Sequence, residues 1–502
     1  RAEESGGGLI CLFVYEPEWI AAPETDGSHI RFVNECLLEL EERLNEFGGR
    51  LITRTGSMLP VLSELKRQAR FGRLWSHEET GSDWTYRRDL SVARWCREQG
   101  VEWVEIPQHG VVRRLRSRNG WANRWEQRMH QPPVVPQFRL QPVSGLASDG
   151  IRTEEALGVN ASSKVCQPGG ETRARETLAD FLSERGLEYR RGMSSPVSGA
   201  TACSRLSPYL AWGCISLRET VHTAEQKIQR LRDASAAGAI VNKGWFGALR
   251  SFGARLRWHC HFMQKLEDEP RIEFENVHRG YDGLRDEMTA SAVGRQRLQL
   301  WKEGRTGYPM VDACMRSCMA TGWLNFRMRA MVASFAAYHL WLHWREPAVF
   351  LARHFLDFEA GIHFSQFQMQ SGTTGINTLR IYSPAKQMLE QDPTGEFVRK
   401  WVPELEGVPL AYLSEPHRMP EAVQRASGCR IDHNYPSPLV DHAMAYRQAR
   451  ERFSVIRRSH AVREEAKAVF QRHGSRKNSR RPPPTRQPPP IPQMELPLDE
   501  NF

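Results

Sequence analysis

The first 107 residues alternate short apolar runs with amphipathic stretches, at a spacing that leaves few folds open. "LICLFVYEP" reads as a strand. "HIRFVNECLLELEERLNEFGG" sets Ile30, Val33, Leu37, Leu40, Leu44 and Phe47 on one helical stripe and stops at a glycine pair, and "RLITRTG" is again a strand. Helix "MLPVLSELKRQARFG", strand "RLWSHE", helix "DWTYRRDLSVARWCREQG" and strand "VEWVEIP" follow. Strands separated by a helix cannot pair as hairpins, so the pattern predicts an α/β domain with a doubly wound parallel sheet. Such a sheet calls for one more strand ahead of the helix whose end is read in "RAEESGGG", so a strand preceding Arg1 is expected.

From Gln108 to Pro168 the periodicity is lost, and "HQPPVVPQFRLQPVSG" has the proline content of a connector. Beyond it the chain reads as overwhelmingly helical, from "ETRARETLADFLSERG" to the basic "AYRQARERFSVIRRSHAVREEAKAVFQRHG". The Pro-rich, polar end is expected to be disordered. The organisation predicted is an α/β domain over 1–128, a linker over 129–170, a large all-helical domain over 171–445, one basic helix over 446–474 and a tail over 475–502.

The longest apolar stretch, "MVASFAAYHLWLHW", is too short to cross a bilayer and reads as a core helix. Ten cysteines are scattered without a CxxC, and no basic, apolar leader is visible, so a reducing, cytoplasmic location without membrane contact is expected. Cys314 and Cys318 lack two further ligands, and in "WHCH" the side chains of His259, Cys260 and His261 diverge around a helix, so no metal site is expected. The net charge is +10, but from Met444 onward 13 Lys and Arg face 6 Asp and Glu. A polyanion-binding surface elsewhere must therefore be a local patch.

"HFLDFEAGIHFSQFQMQSGTTGINTLRIYSPAKQ" carries Asp357, Glu359, His363, Gln366, Gln368, Gln370, Ser371, Thr373, Thr374 and Asn377 among apolar residues. Buried polar groups need partners, so a cluster this dense predicts a polar ligand in an apolar wall. "CSRLSPYLAWGCIS" places Ser204 and Ser207 at a helix start, where hydroxyls and free amides hold phosphate or simply cap the helix. "EGRTGYPMVDACMRSCMATGWLNFRMRAMVASF" carries Arg327 and Arg329, and a buried pair with Asp357 would neutralise both charges.

These three stretches, with "WSHEETGSDWTYRRD" and "HGVVRRLR", resemble the photolyase/cryptochrome family of flavoproteins over nearly the whole chain. The resemblance implies an antenna domain followed by a helical domain that holds FAD in a U-shape. Tyr189, Ser204, Arg205, Leu206 and Ser207 would surround the phosphates; Arg329 and Asp357 would form the salt bridge over the isoalloxazine; His363 would face flavin N5, with Glu359 in the same pocket. An antenna chromophore, if used, would be a folate, a deazaflavin or a second flavin. The implied activity is that of a carbon–carbon lyase, monomeric and acting on DNA with UV lesions: excited reduced flavin gives an electron to a flipped-out cyclobutane pyrimidine dimer, the ring splits and the electron returns. Trp258 matches the residue that stacks on the dimer.

The same resemblance exposes departures. Arg255 stands where dimer-repairing members have a Glu, and Ala330 and Met369 replace a Met and a Trp of the dimer cavity. His363 replaces an Asn or Asp and is expected to titrate near neutral pH. The three-Trp electron relay maps onto Trp301, Trp344 and Phe367, with Trp245, Trp341, Trp323 and Tyr382 as substitutes. His259 and His363 facing a lesion would suit the acid–base chemistry of a (6-4) product. Two other readings therefore stay open: a cryptochrome-like blue-light photoreceptor whose tail binds a protein partner, and a flavoprotein acting in the dark or surviving as a DNA-binding relic.

Overall fold

The computed structural model describes residues 8–134 and 139–474; the readings placed on 1–7, on 135–138 and on the tail from 475 lie outside it. Four strands, β1 (Cys11–Tyr15), β2 (Leu51–Thr55), β3 (Arg73–His77) and β4 (Glu102–Ile106), are joined by helices Gly27–Glu46, Met58–Ala69 and Asp83–Glu98. Because each connection is a helix, both pairings are parallel: Cys11 to Tyr15 of β1 lie opposite Leu51 to Thr55, and Arg73 to His77 of β3 opposite Glu102 to Ile106. The doubly wound layer thus consists of two parallel pairs, with no bonding between β1 and β3 among the described residues. Leu12, Leu74 and Trp103 nevertheless meet Leu62, Val92 and Trp95 in one apolar cluster, which ties the pairs into a single layer.

The helix Gly27–Glu46 opens with a reciprocal cap. The Asp26 carboxylate accepts from the Ser28 amide at 3.0 Å, and His29 Nδ1 accepts from the Asp26 amide at 3.2 Å. Within the stretch from Gln108 where the sequence showed no periodicity, residues Trp121–Met129 form a helix, with Trp121, Trp125 and Met129 buried one above another at four-residue spacing.

The remainder is helical, around a core that includes Trp301, Trp344, Met331, Leu351 and Phe364. The expected core helix over 331–344 is instead helix Phe326–Ser334, a widened π turn Phe335–His339 and a departure at Trp341, which has a φ of 59°. The cause comes from outside the segment: the buried Arg285 guanidinium donates Nε to the Ala337 carbonyl at 2.8 Å, capturing an acceptor from the helical ladder. The basic helix is likewise two helices, His442–Arg458 and His460–His473, broken at Ser459, whose backbone is extended. Helices Gly244–Asp268 and Ala360–Ser371 pack closely enough that a β-carbon on Gly361 would stand 2.6 Å from the Met263 Cα.

Asp312, wholly buried, is the polar knot of this domain. It accepts from the Thr306 amide (2.7 Å) and hydroxyl (2.6 Å), the Gly307 amide (3.1 Å) and the Tyr435 hydroxyl (2.7 Å). Asp312→Ala strands those donors without water, so it should lower the stability read by urea unfolding by about 3 kcal/mol. An unchanged midpoint would show that the 306–308 turn holds itself.

Candidate functional site

The site is built around one ion pair. Arg329, on helix Phe326–Ser334, donates Nη2 to Asp357 Oδ2 at 2.9 Å, while its Nε donates to the Leu324 carbonyl at 2.8 Å and its guanidinium lies 4.0 Å from the centre of the Phe355 ring. Burial pushes the Asp357 carboxyl up, but the Arg329 charge and hydrogen bond outweigh it and hold the group below its usual range, so it is charged at neutral pH. Asp357 is fixed by its backbone too. The Leu356 amide donates to Gly322 O (3.0 Å), and the Trp212 indole donates to Leu356 O (2.8 Å).

Beside this pair runs the loop from Cys203 to Ser207. Its Arg205 takes the left-handed conformation at φ 62°, and its guanidinium stacks 3.9 Å from the Trp323 ring centre. Arg205 and Gln167 also exchange hydrogen bonds, Nε to Oε1 and Nε2 to the Arg205 carbonyl, both at 3.0 Å. Burial lowers the Arg205 pKa to about 10 even with Asp357 nearby, which leaves it a charged group with little water around it. Leu206 is buried, and Tyr189 packs edge-on against Phe181 at 5.6 Å. The expected helix start is only a single turn, Ser207–Ala211, so Ser204 lies in the loop ahead of it. Arg185 holds that loop by donating to the carbonyls of Ser204 (2.9 Å), Cys203 and Thr201.

Helix Ala360–Ser371 divides the polar cluster. Gln368 is locked inward: its amide donates to Ile272 O (2.9 Å) and Glu275 O (2.7 Å), and its carbonyl accepts from the Val277 amide (2.7 Å). His363, Gln366 and Gln370 share the other face at three- and four-residue spacing. There Gln366 Oε1, both amide atoms of Gln370 and Asp357 Oδ1 have no partner, as do Asn325 Oδ1 and Arg327 Nε on the facing helix end. Buried donors and acceptors left open on two facing walls fit a large ligand that offers both kinds of group.

His363 departs from expectation. Its Nε2 donates to the Ala348 carbonyl at 2.7 Å, and the ring sits among Phe355, Phe358 and Phe367. Burial, with Arg329 adding to it, lowers its pKa to about 4, so the imidazole is neutral at pH 7 and does not switch there. His259 is the charged histidine. Burial opposes its charge, but Glu359 Oε2 at 2.8 Å from Nε2 prevails and raises its pKa to about 10.

That pair joins the buried site to a more open face of helix Gly244–Asp268. Trp258 is 37% exposed, and the Arg255 guanidinium lies 5.0 Å from the ring centre of Phe326, itself 37% exposed. Trp301, Trp344 and Phe367 all lie buried in one core cluster, but Trp344 packs on Phe364 at 6.2 Å and Phe367 on His363 at 4.8 Å. Reasoning from sequence missed Asn325 and Gln167 and offered Trp323 only as a substitute in the relay, not as the ring under Arg205; no local signal marks these roles, because each comes from a distant partner. Among the described residues no group of His, Cys, Asp or Glu is arranged to hold a metal, and no helix is long and apolar enough to cross a membrane.

Residues 1–120 match the family model of DNA photolyase, and residues 252–455 that of the FAD binding domain of DNA photolyase. The deoxyribodipyrimidine photo-lyase of Streptomyces griseus is 29% identical over 467 residues, spanning 89% of this chain and 93% of its own. Cryptochrome-1 of Spalax judaei is 25% identical over 483 residues, spanning 89% and 78%. A bacterial class III photolyase from Agrobacterium tumefaciens shares the fold, with a TM-score of 0.76 at 23% identity over 91% of this chain and 94% of that one. With a parallel α/β layer, a helical domain and an open polar pocket walled by Arg329 and Asp357, the chain belongs to the photolyase/cryptochrome family of FAD-binding flavoproteins.

Proposed function

We propose that this protein uses FAD and light to reverse UV-induced pyrimidine dimers in DNA. The observation that carries the reading is the join between a surface aromatic and a buried pocket: Trp258 and Arg255 lie on the same helix as His259, and His259 is bound to Glu359 at the edge of the Asp357 wall. FAD held in that pocket would supply the photochemistry, electron donation from its excited reduced state.

The chain's own residues do the rest. Asp357 holds the Arg329 guanidinium in place, so a fixed positive group faces the pocket and favours added negative charge on whatever fills it. Arg205, charged with little water around it, and the Ser204 and Ser207 hydroxyls are the donors we assign to FAD's phosphates, and the unpartnered atoms of Asn325, Arg327 and Gln366 are available to its polar edges. Trp258 offers an indole face on which a flipped base can stack, and Arg255 adds positive charge beside it for a DNA backbone. A cavity of about 1200 Å3 between the α/β layer and the helical domain, walled in part by Trp19, Trp84 and Trp212, is the place for an antenna chromophore. The competing reading, a blue-light photoreceptor with the same pocket, draws on Phe367, which stands where the three-Trp relay expects its member next to the flavin.

The deciding experiment illuminates the FAD-loaded, chemically reduced protein with a duplex carrying one thymine cyclobutane dimer. Restored thymine above the dark control is expected; none, with FAD bound and reduced, would leave the photoreceptor reading. Trp258→Ala should weaken binding to that duplex about tenfold while FAD content stays unchanged. Equal affinity would remove Trp258 from the lesion site.

The His259–Glu359 tie has its own signature. His259 is raised in the fold, so its stabilising contribution is complete below the ordinary histidine value near 6.5 and fades as pH rises through about 10. In Glu359→Gln, burial is opposed only by the adjacent Cys260 sulfur, and the ring should be neutral at pH 7. Imidazole NMR reads both, and a His259 still protonated at pH 7 in the variant would rule out Glu359 as the cause.

A further inference from the structure

We infer that Cys36 and Cys214 form a reactive dithiol which a hydroperoxide converts into a disulfide, covalently joining the α/β layer to the helical domain. Their sulfurs lie 3.3 Å apart although the residues are 178 positions apart in the chain. Cys36 is on helix Gly27–Glu46, and Cys214 is in the turn between Ser207–Ala211 and helix Leu217–Ala236, a turn made by Gly213 at φ 75°. The inference is independent of the flavin reading.

Access separates this pair from most of the other cysteines. Both sulfurs line the 1200 Å3 cavity and are only partly buried, whereas Cys96, Cys260, Cys314, Cys318 and Cys429 are buried. A small peroxide can therefore reach them. Their ionisation is also asymmetric: the contact with Cys36 lowers the Cys214 thiol below its ordinary range, while the Gly170 amide donates to Cys36 Sγ at 3.2 Å. Closing from 3.3 Å to a bonded separation of about 2.05 Å is within the reach of side-chain rotation.

The chemistry balances in two steps. The Cys214 thiolate attacks hydrogen peroxide, breaking its O–O bond and yielding a sulfenic acid and hydroxide, which is protonated to water. The Cys36 thiolate then displaces that hydroxyl, which leaves as a second water, and the S–S bond forms. Two thiols lose two electrons and two protons; the peroxide takes them up. The product pins the helix beside the cavity to the turn across from it.

The test uses the full chain, reduced, desalted and exposed to hydrogen peroxide, then alkylated and digested without reductant. We expect a peptide joining Cys36 to Cys214, the loss of two of the ten thiols counted under denaturing conditions, and their return with dithiothreitol. In Cys36→Ser the sulfenic acid at Cys214 should persist and be trapped by dimedone. A second measurement needs no variant: proteolytic nicking near Val134, which is 84% exposed, should give two fragments that run together on a non-reducing denaturing gel only after oxidation. Fragments that separate after oxidation, or peroxide consumed at other cysteines before these, would overturn the inference.

Discussion

A charged carboxylate with no water around it must be met by a cation in a fixed place, and Asp357 and Arg329 impose that condition on this fold. A buried ion pair adds little to stability, because desolvation offsets the attraction. Its use is positional, and the surrounding backbone reflects this. Phe355 O accepts from His29 Nε2 at 3.0 Å, Leu356 O from Trp212, and the Leu356 amide is bound to Gly322. The His29 contact reaches across from the α/β layer. Since His29 Nδ1 accepts the Asp26 amide, the ring proton sits on Nε2, and the same cap that starts one helix orients the donor that steadies the site.

Helix Gly244–Asp268 carries the site outward. Its close approach to Ala360–Ser371, made possible by Gly361, places His259 against Glu359 while Trp258, one residue earlier and about 100° around the helix, remains partly in solvent. One rigid element thus serves a buried pocket and an open face. The charged His259 belongs to the junction, and the neutral His363 to the pocket interior; the partner of each decides its state, Glu359 for one and the Ala348 carbonyl within an aromatic cage for the other.

Much of this was legible beforehand for physical reasons. The βα alternation had to give parallel strands, since a crossover helix permits nothing else, and the strands fall within a residue or two of the apolar runs. Trp121, Trp125 and Met129 held a readable four-residue period that the prolines after them obscured. The π turn at Phe335–His339 was not readable, because the Arg285 that takes Ala337 O lies some fifty residues upstream. Nor was the division of the glutamines: Gln368 is structural because Ile272, Glu275 and Val277 surround it, and Gln366 is open because nothing does.

By itself, then, the sequence determined the element types, their parallel pairing, the family's motifs and the need for a partner to Asp357, since periodicity and the cost of burying charge act locally and are written in residue order. Tertiary structure alone decided which polar groups stay open, which histidine is charged, and that Cys36 meets Cys214 across the cavity. Those outcomes depend on desolvation and on contacts between residues one to three hundred positions apart, and neither is a property of any stretch of chain taken alone.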